Sequence, residues 1–299
     1  ALPELIERYR VDLVLHLVGP PDDAAVPDRE RLRDWSRRDA AELALAIQRT
    51  QPSHAPEIAV SPAPTCGPFA ALPSPDSTAA AEQAMAALID ARPDLPTLLA
   101  GAQAIRTECW CSKLAALQTR PCAGRAGTDA LMRRGRAQRT AFGHYLSGTL
   151  YFEHEWYWGI DRLHYLERRL FALQDGQQRA FAPLRPFPAL LSSPRNTSPV
   201  ASLASVAPVA SVARPPVLNF FCSLRSPYSY LAIDRCAALA EHYGAELRLR
   251  FVLPMVMRGL PVPREKQLYI VLDAKREAET LGLAFGRIAD PVGAPTERG

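Results

Sequence analysis

Two adjoining stretches of the sequence decide the fold: Val217-Leu218-Asn219-Phe220-Phe221 and Arg225-Ser226-Pro227-Tyr228-Ser229-Tyr230-Leu231-Ala232. The first is an apolar run typical of a buried strand. The second contains a Ser-Pro step and continues with apolar residues at helical spacing. Because proline is tolerated at the first position of a helix, where a missing N–H breaks no intrahelical bond, the pattern predicts a strand that leads into a helix at Pro227.

The start of this predicted helix has a chemistry of its own. The first N–H groups of a helix have no partners inside the helix, and the helix dipole places partial positive charge there. The sequence therefore predicts a place beside Ser226 that holds an anion, and a thiolate is one candidate. The alternative is that Ser226 is only an N-cap, which is the commonest role of serine at this position.

The Ser226-Pro227-Tyr228-Ser229 turn resembles one branch of the thioredoxin-fold family that contains DsbA-like proteins, kappa-class glutathione transferases and 2-hydroxychromene-2-carboxylate isomerases. Redox members of this family carry Cys-Pro-x-Cys at the helix start, whereas the transferases and isomerases carry Ser-Pro-[Tyr/Phe]-Ser. A second family motif, Pro-x-x-Lys-x-x-Tyr-x-x-x-Asp, is similar to the segment from Pro263 to Asp273. The resemblance implies an α/β, thioredoxin-like (DsbA-like) fold with an inserted helical subdomain.

The same resemblance implies glutathione as a thiol cosubstrate. Ser226 would be the catalytic residue, because the family serine donates a hydrogen bond to the glutathione sulfur. Lys266 would hold a carboxylate or carbonyl of glutathione as a point charge, and Pro227, Tyr228 and Ser229 would complete the binding site. The implied function is a glutathione-dependent isomerase or transferase, in which the bound thiolate adds to a small electrophilic substrate that is aromatic or unsaturated.

Two other functions stay open at the level of sequence. A non-catalytic thioredoxin-like module would use the same fold for binding alone. A thiol–disulfide oxidoreductase is the function that family membership suggests, but disulfide exchange needs two sulfur atoms and the two serines of the turn supply neither. Lys266 is equally compatible with a solvated helix face, and Asp273 is more typical of a structural partner to Arg264 or Arg276 than of a catalytic group.

An internal similarity predicts a tandem, incomplete repeat. Residues 7–20 and 241–254 align without gaps, and each segment is typical of a helix end, a turn and an alternating strand. We therefore expect a first DsbA-like copy in residues 1–185, which lacks its first strand and its active turn. A linker rich in Pro, Ser, Ala and Val follows in residues 186–216. Residues 217–299 form the amino-terminal part of a second copy.

Periodicity and cap residues predict the remaining elements of the first copy. Thr128 and Asp129 are the expected caps of one of its helices. Because this copy lacks a strand, the sequence also predicts that Val217–Cys222 pairs with Leu13–Val18. The expected helices span 27–48, 77–91, 95–118, 128–146 and 161–170, and residues 149–153 and 156–158 are expected to form a hairpin.

The amino-acid composition and net charge limit the kinds of partner to be expected. With 48% hydrophobic and 22% charged residues, the chain has the composition of a globular protein. A net charge of +4 over 299 residues does not indicate nucleic acid, and the longest uncharged stretch is too polar to span a bilayer. We therefore expect no nucleic-acid partner and no membrane, and a homodimer is left open. Because the sequence begins at Ala1 rather than at methionine, we expect a fragment of a longer chain.

The six cysteines contain neither a Cys-x-x-Cys motif nor zinc-ligand spacing. The sequence therefore predicts no metal site. It predicts reduced thiols that pack as small apolar groups, which is typical of a cytoplasmic protein.

Overall fold

The computed structural model describes residues 2–49, 72–174, 181–184, 215–286 and 293–297. The chain folds as two compact units, Ala1–Arg185 and Pro186–Gly299. The described part of each unit combines α-helices with one sheet of two strands. The predicted linker at 186–216 lies almost wholly outside the described residues, and a thioredoxin-like fold and a tandem repeat stay predictions.

The described part of the first unit contains seven α-helices, and local cap chemistry explains where two of them start. The side chain of Ser74 accepts a hydrogen bond from the N–H of Ser77 at 3.1 Å, and that of Asp94 accepts one from Thr97 at 2.9 Å. The helices are α1 (Leu2–Tyr9), α2 (Arg29–Arg49), α3 (Pro75–Asp90), α4 (Leu95–Trp110), α5 (Leu114–Gln118), α6 (Gly124–Ala141) and α7 (Leu163–Gln174).

Two details of these helices correct the sequence predictions. The helix expected at 95–118 is interrupted, because Ser112 adopts a positive φ of 53° between α4 and α5. Thr128 and Asp129 do not cap α6, which begins at Gly124. The hydroxyl of Thr128 instead donates to the carbonyl of Gly124 at 2.7 Å from within the first turns of the helix.

The predicted hairpin is confirmed as β1 (Thr149–Phe152) and β2 (Glu155–Trp158), which pair antiparallel with Thr149 opposite Trp158. Its two turn residues, Glu153 and His154, both have positive φ values, 42° and 68°, as a tight hairpin turn requires. A short 3-10 helix, Ile160–Arg162, then leads into α7. The core that joins α1, β2 and α7 consists of Leu5, Tyr9, Tyr157, Tyr165, Leu166 and Leu170.

The strand predicted within residues 11–18 is absent, since these residues form neither helix nor strand. The segment instead runs against α6. A Cβ atom at Gly135 would lie 2.1 Å from the carbonyl oxygen of Leu17, so only glycine permits this approach. The alternating pattern therefore reflects an extended segment packed on a helix rather than one paired in a sheet.

The second unit begins with a strand–helix–strand arrangement, as the sequence predicted. Strand β3 (Val217–Cys222) leads into α8 (Pro227–His242), which is followed by β4 (Glu246–Phe251). The two strands are parallel, with Val217 opposite Glu246 and Cys222 opposite Phe251. Because the partner of β3 is β4, the predicted pairing of Val217–Cys222 with Leu13–Val18 is wrong.

Three further elements follow β4 in the second unit, and one of them, a long helix, packs on α8. A 3-10 turn, Met255–Arg258, precedes α9 (Arg264–Thr280), and a short helix α10 (Ala294–Glu297) follows. The contact between α8 and α9 is centred on the buried side chains of Leu231, Ala274 and Ala278, with Tyr228, Leu283 and Phe285 packed around them. Two small alanines on α9 allow this close helix–helix approach.

Candidate functional site

The Ser-Pro turn lies at the start of α8. Ser226 is the N-cap, with φ −87° and ψ 116°, and Pro227 is the first helical residue. The Ser226 Oγ accepts the N–H of Ser229 at 3.4 Å, so serine performs the capping role that the sequence left open. Because accepting this bond uses only a lone pair, the hydroxyl hydrogen of Ser226 is available to a second partner.

The chain folds back tightly just before the helix. The N–H of Ser226 donates to the carbonyl of Ser223 at 2.9 Å, and the N–H of Ser223 donates to Ser229 Oγ at 3.1 Å. Ser229 therefore serves the backbone of the turn that joins β3 to α8. Both serines are half-buried, which leaves part of the turn in contact with solvent.

The side chain of Tyr228 points to α9 and joins a buried network. Its hydroxyl donates to Asp273 Oδ2 at 2.8 Å. Asp273 is 2% exposed, and its Oδ1 accepts from Tyr269 and from Arg276, each at 3.4 Å. The expectation of a structural Asp273 is confirmed with Arg276 as its ion-pair partner. The hydroxyl of Tyr228, which the resemblance assigned to glutathione, thus has a protein partner.

Tyr269 is the tyrosine of the motif that runs from Pro263 to Asp273, and the sequence alone assigned it no role. The signal was present, since Tyr269 and Asp273 are four residues apart on a predicted helix and such residues lie on the same face. The contact from Tyr228 to Asp273 joins residues 45 positions apart, and no local signal predicts it.

Lys266 lies in the first turn of α9. It is half-buried, and this burial lowers the pKa of its ammonium group. Lys266 precedes Asp273 by seven residues, so the two share a helix face about 10 Å apart. Asp273 contacts the start of α8 through Tyr228. The structure therefore brings Lys266 onto the face of α9 that meets the Ser-Pro turn.

Tyr230 contributes to packing at the start of α8. Its hydroxyl donates to the carbonyl of Ala284 at 2.9 Å, beyond the end of α9. Tyr228 and Tyr230 thus fasten opposite sides of the first turn of α8 to different segments. These two hydrogen bonds hold the start of the helix in place, and neither of them involves the hydroxyl of Ser226.

The free thiols of the second unit lie outside the Ser-Pro turn. Cys222 ends β3 and Cys236 lies within α8, so neither occupies the turn. Burial raises the pKa of Cys236 and, together with Glu82, that of Cys109 in the first unit. A raised pKa keeps a thiol protonated and unreactive.

Cys111 takes part in a disulfide bond, so the prediction that all cysteines are reduced is wrong. A disulfide depends on which cysteines the fold brings together, and spacing along the sequence does not reveal this. A cytoplasmic location, which rested on reduced cysteines, stays a prediction without that support.

The part of the chain that the structure describes contains neither a candidate metal-ligand cluster nor a candidate membrane-spanning helix. There, no group of three or more His, Cys, Asp or Glu side chains is arranged to hold a metal ion. None of the described helices combines the length and the apolar character that crossing a bilayer requires. Comparison of the chain with protein-family models, with curated proteins and with solved structures found no match.

Proposed function

We propose that the second unit binds the tripeptide thiol glutathione at the start of α8 and acts as an isomerase or transferase on a small electrophile. The observation that carries this proposal is Ser226, an oxygen-bearing N-cap whose hydroxyl hydrogen remains available at the positive end of a helix of 16 residues. A bound sulfur at this position would meet both a hydroxyl donor and a favourable dipole.

The distance along α9 from Lys266 to the place where α9 meets the start of α8 supports a ligand of this size. Lys266 lies about 10 Å along α9 from the contact that Asp273 makes with Tyr228. An extended tripeptide spans about 10 Å, at ~3.3–3.6 Å per residue. The ammonium group of Lys266 attracts anions as a point charge, and a glutathione carboxylate is such an anion. Tyr228 would position the turn rather than contact the ligand.

When bound, glutathione would supply a thiolate that adds to an electrophilic carbon and is later expelled, or that displaces a leaving group. The protein would perform three tasks. Ser226 would donate its hydroxyl hydrogen to the sulfur and so favour the thiolate over the thiol, whose pKa is ordinarily ~8.5. The N–H groups of the first turn of α8 would add their dipole. Lys266 would fix the orientation of the peptide through its carboxylate.

A titration of glutathione followed by its thiolate absorbance tests the role of Ser226. We expect a lowered thiol pKa with the wild-type protein and a return toward ~8.5 with Ser226→Ala. Ser229→Ala is the matched control, because it removes a hydroxyl from the same turn that faces the backbone of Ser223. If Ser226→Ala and the wild type give the same thiol pKa, the proposal fails.

Calorimetric binding of S-methylglutathione tests the site without a thiolate. Lys266→Gln should weaken binding about tenfold or more, which corresponds to one lost charge-assisted contact. Lys275→Gln, on the exposed side of the same helix, where Lys275 pairs with Glu279 at 3.6 Å, should bind as the wild type does. Equal affinities in the two variants would remove Lys266 from the site.

A non-catalytic binding module is the second candidate, and the β3–β4 sheet favours it. Parallel sheets are normally covered on both faces. Here Phe221 is 67% exposed and Leu249, on the opposite face, is 56% exposed. This candidate predicts no thiol-dependent turnover of an aromatic electrophile such as a chloronitrobenzene. An oxidoreductase, by contrast, predicts reduction of insulin disulfides, for which the turn offers no sulfur.

A further inference from the structure

Arg139 of the first unit is a buried cation whose charge the described residues leave uncompensated. It is 4% exposed, and its Nε and Nη1 atoms are buried without a hydrogen-bond partner in the part of the chain that the structure describes. Arginine keeps its proton in proteins, and an ion withdrawn from water is strongly destabilised unless it is paired. The side chain therefore calls for an anionic partner.

The charged groups nearest to Arg139 do not supply this anionic partner. Arg136, one turn earlier on α6, adds a second positive charge, and together with burial it lowers the pKa of Arg139. Asp22 is the carboxylate that acts in the opposite direction. It is largely solvent-exposed and lies 3.4 Å from Arg136 Nη1 rather than at hydrogen-bond distance from Arg139.

A groove of about 220 Å³ lies along this part of α6, between the helix and the extended segment that crosses it. Gly19 lines the groove opposite α6, and a Cβ there would lie at an ordinary 3.5 Å from Arg136 Nη2. Arg133, Arg136 and Arg139 follow one another at three-residue spacing along the helix. The residues that line the groove are Gly19, Asp129, Met132, Arg133 and Arg136.

We propose that this groove binds a phosphate group, held by Arg133 and Arg136 of its lining, and that the buried charge of Arg139, one turn further along α6, adds to the attraction. Among the described residues here, three guanidinium groups stand against the carboxylates of Asp22 and Asp129, which leaves an excess of positive charge. A phosphate offers close to two negative charges and several acceptor oxygens, which planar guanidinium forks bind in bidentate fashion. A carboxylate, with one charge and two oxygens, would satisfy fewer of these donors. The site lies in the first unit and is independent of the Ser226 turn.

Calorimetric titration of inorganic phosphate into the full chain tests the proposal, with chloride at matched ionic strength as the reference. We expect binding by the wild type and about tenfold weaker binding by Arg136→Gln, which loses one charge-assisted contact. Arg134→Gln is the matched control, because Arg134 is an exposed arginine of the same helix that does not line the groove. Equal phosphate affinities in these two variants would overturn the proposal.

Arg139→Met, followed by thermal unfolding, supplies the second test. In phosphate-free buffer this variant should unfold at a higher temperature than the wild type, because an apolar side chain replaces an uncompensated buried charge. Added phosphate should then raise the unfolding temperature of the wild type more than that of Arg139→Met, because the variant lacks one of the three positive charges. A rise of the same size in both would reflect the general stabilising effect of phosphate on folded proteins and would contradict a site. Acetate binding as tight as that of phosphate would overturn the choice of ligand.

Discussion

The hydroxyl of Tyr228 donates a 2.8 Å hydrogen bond to Asp273 Oδ2 and thereby ties the first turn of α8 to the middle of α9. Asp273 is buried and also accepts from Tyr269 and Arg276. A buried carboxylate is tolerated when donors surround it in this way. The position of the Ser-Pro turn on α9 is therefore fixed by a charge-assisted network.

Removing the Tyr228 hydroxyl should weaken this network without changing the apolar packing of the ring. We expect Tyr228→Phe to lower the free energy of unfolding by about 1.5–3 kcal/mol, the range for hydrogen bonds to charged groups. Chemical denaturation of the second unit, followed by circular dichroism, measures this change. Tyr230→Phe is the control, since its hydroxyl bonds a neutral carbonyl at an exposed position, and it should lower stability less.

The Tyr228→Phe variant also tests whether the Tyr228 hydroxyl positions the turn or contacts the ligand. Tyr228→Phe should retain affinity for S-methylglutathione if the hydroxyl serves only Asp273. A loss of affinity as large as that of Lys266→Gln, in a variant that remains folded, would show that the hydroxyl contacts the ligand.

The cap role of Ser226 can be separated from its proposed role toward sulfur. Ser226→Ala should cost about 1 kcal/mol of stability, because the N–H of Ser229 loses its side-chain acceptor and keeps only the carbonyl of Ser226. Ser226→Asp keeps a cap acceptor and should stay within a few tenths of a kcal/mol of the wild type. Its carboxylate should nevertheless repel a thiolate and raise the pKa of bound glutathione.

Urea denaturation and thiol titration of both variants measure these two effects. If Ser226→Asp loses as much stability as Ser226→Ala, the hydroxyl of Ser226 contributes something other than a cap.

Local signals in the sequence predicted the elements around the turn. The Ser-Pro step specified the start of α8 at Pro227, because both the cap hydroxyl and the fixed φ of proline act within a few residues. The hairpin of β1 and β2 was also predicted, at residues 149–153 and 156–158. The cap chemistry of the candidate site was therefore available from the sequence, whereas its contact with α9 through Tyr228 was not.

The strand predicted at residues 11–18 is absent because of a tertiary contact. Alternation of apolar and polar residues predicts an extended backbone with two different faces, and residues 11–16 do alternate between half-buried and exposed. Whether such a backbone becomes a strand depends on an edge with which it can pair, and here the neighbour of Leu17 is Gly135 on a helix. The glycine in the middle of α6 was the signal that the sequence analysis did not use.

Substitution of Gly135 tests this packing. A Cβ would lie 2.1 Å from the carbonyl oxygen of Leu17, so Gly135→Ala must displace the segment or the helix. We expect a loss of about 1–3 kcal/mol of stability from overpacking. Gly127→Ala, on the same helix, is the matched control. Its Cβ would meet Ala123 at an ordinary 3.5 Å, and the gain in helix propensity should stabilise the protein by up to about 1 kcal/mol.

Thermal unfolding of both variants supplies the measurement, and the two shifts should have opposite signs. A stabilising Gly135→Ala would show that the extended segment does not rest on α6 in solution.

The buried imidazole of His144 predicts how the stability of the first unit depends on pH. Burial, with a further contribution from Arg139, lowers the pKa of His144 from 6.5 to about 4. Between pH ~6.5 and pH ~4, His144 is therefore protonated in the unfolded chain but neutral in the folded chain. The free energy of unfolding consequently falls as the pH falls through this window. Between pH 7 and pH 5 the loss should be about 2 kcal/mol, at ~1.4 kcal/mol per pH unit.

His144→Gln keeps a side-chain acceptor for the N–H of Leu146, which Nδ1 now accepts at 3.1 Å, but it does not titrate. Urea denaturation at the two pH values should give a wild-type loss about 2 kcal/mol larger than the loss of the variant. Tryptophan fluorescence is a suitable probe, because the ring of His144 lies 4.7 Å from that of Trp156. Equal losses in both proteins would mean that the imidazole takes up its proton without unfolding, and NMR titration of its ring protons would then give a pKa near 6.5 rather than near 4.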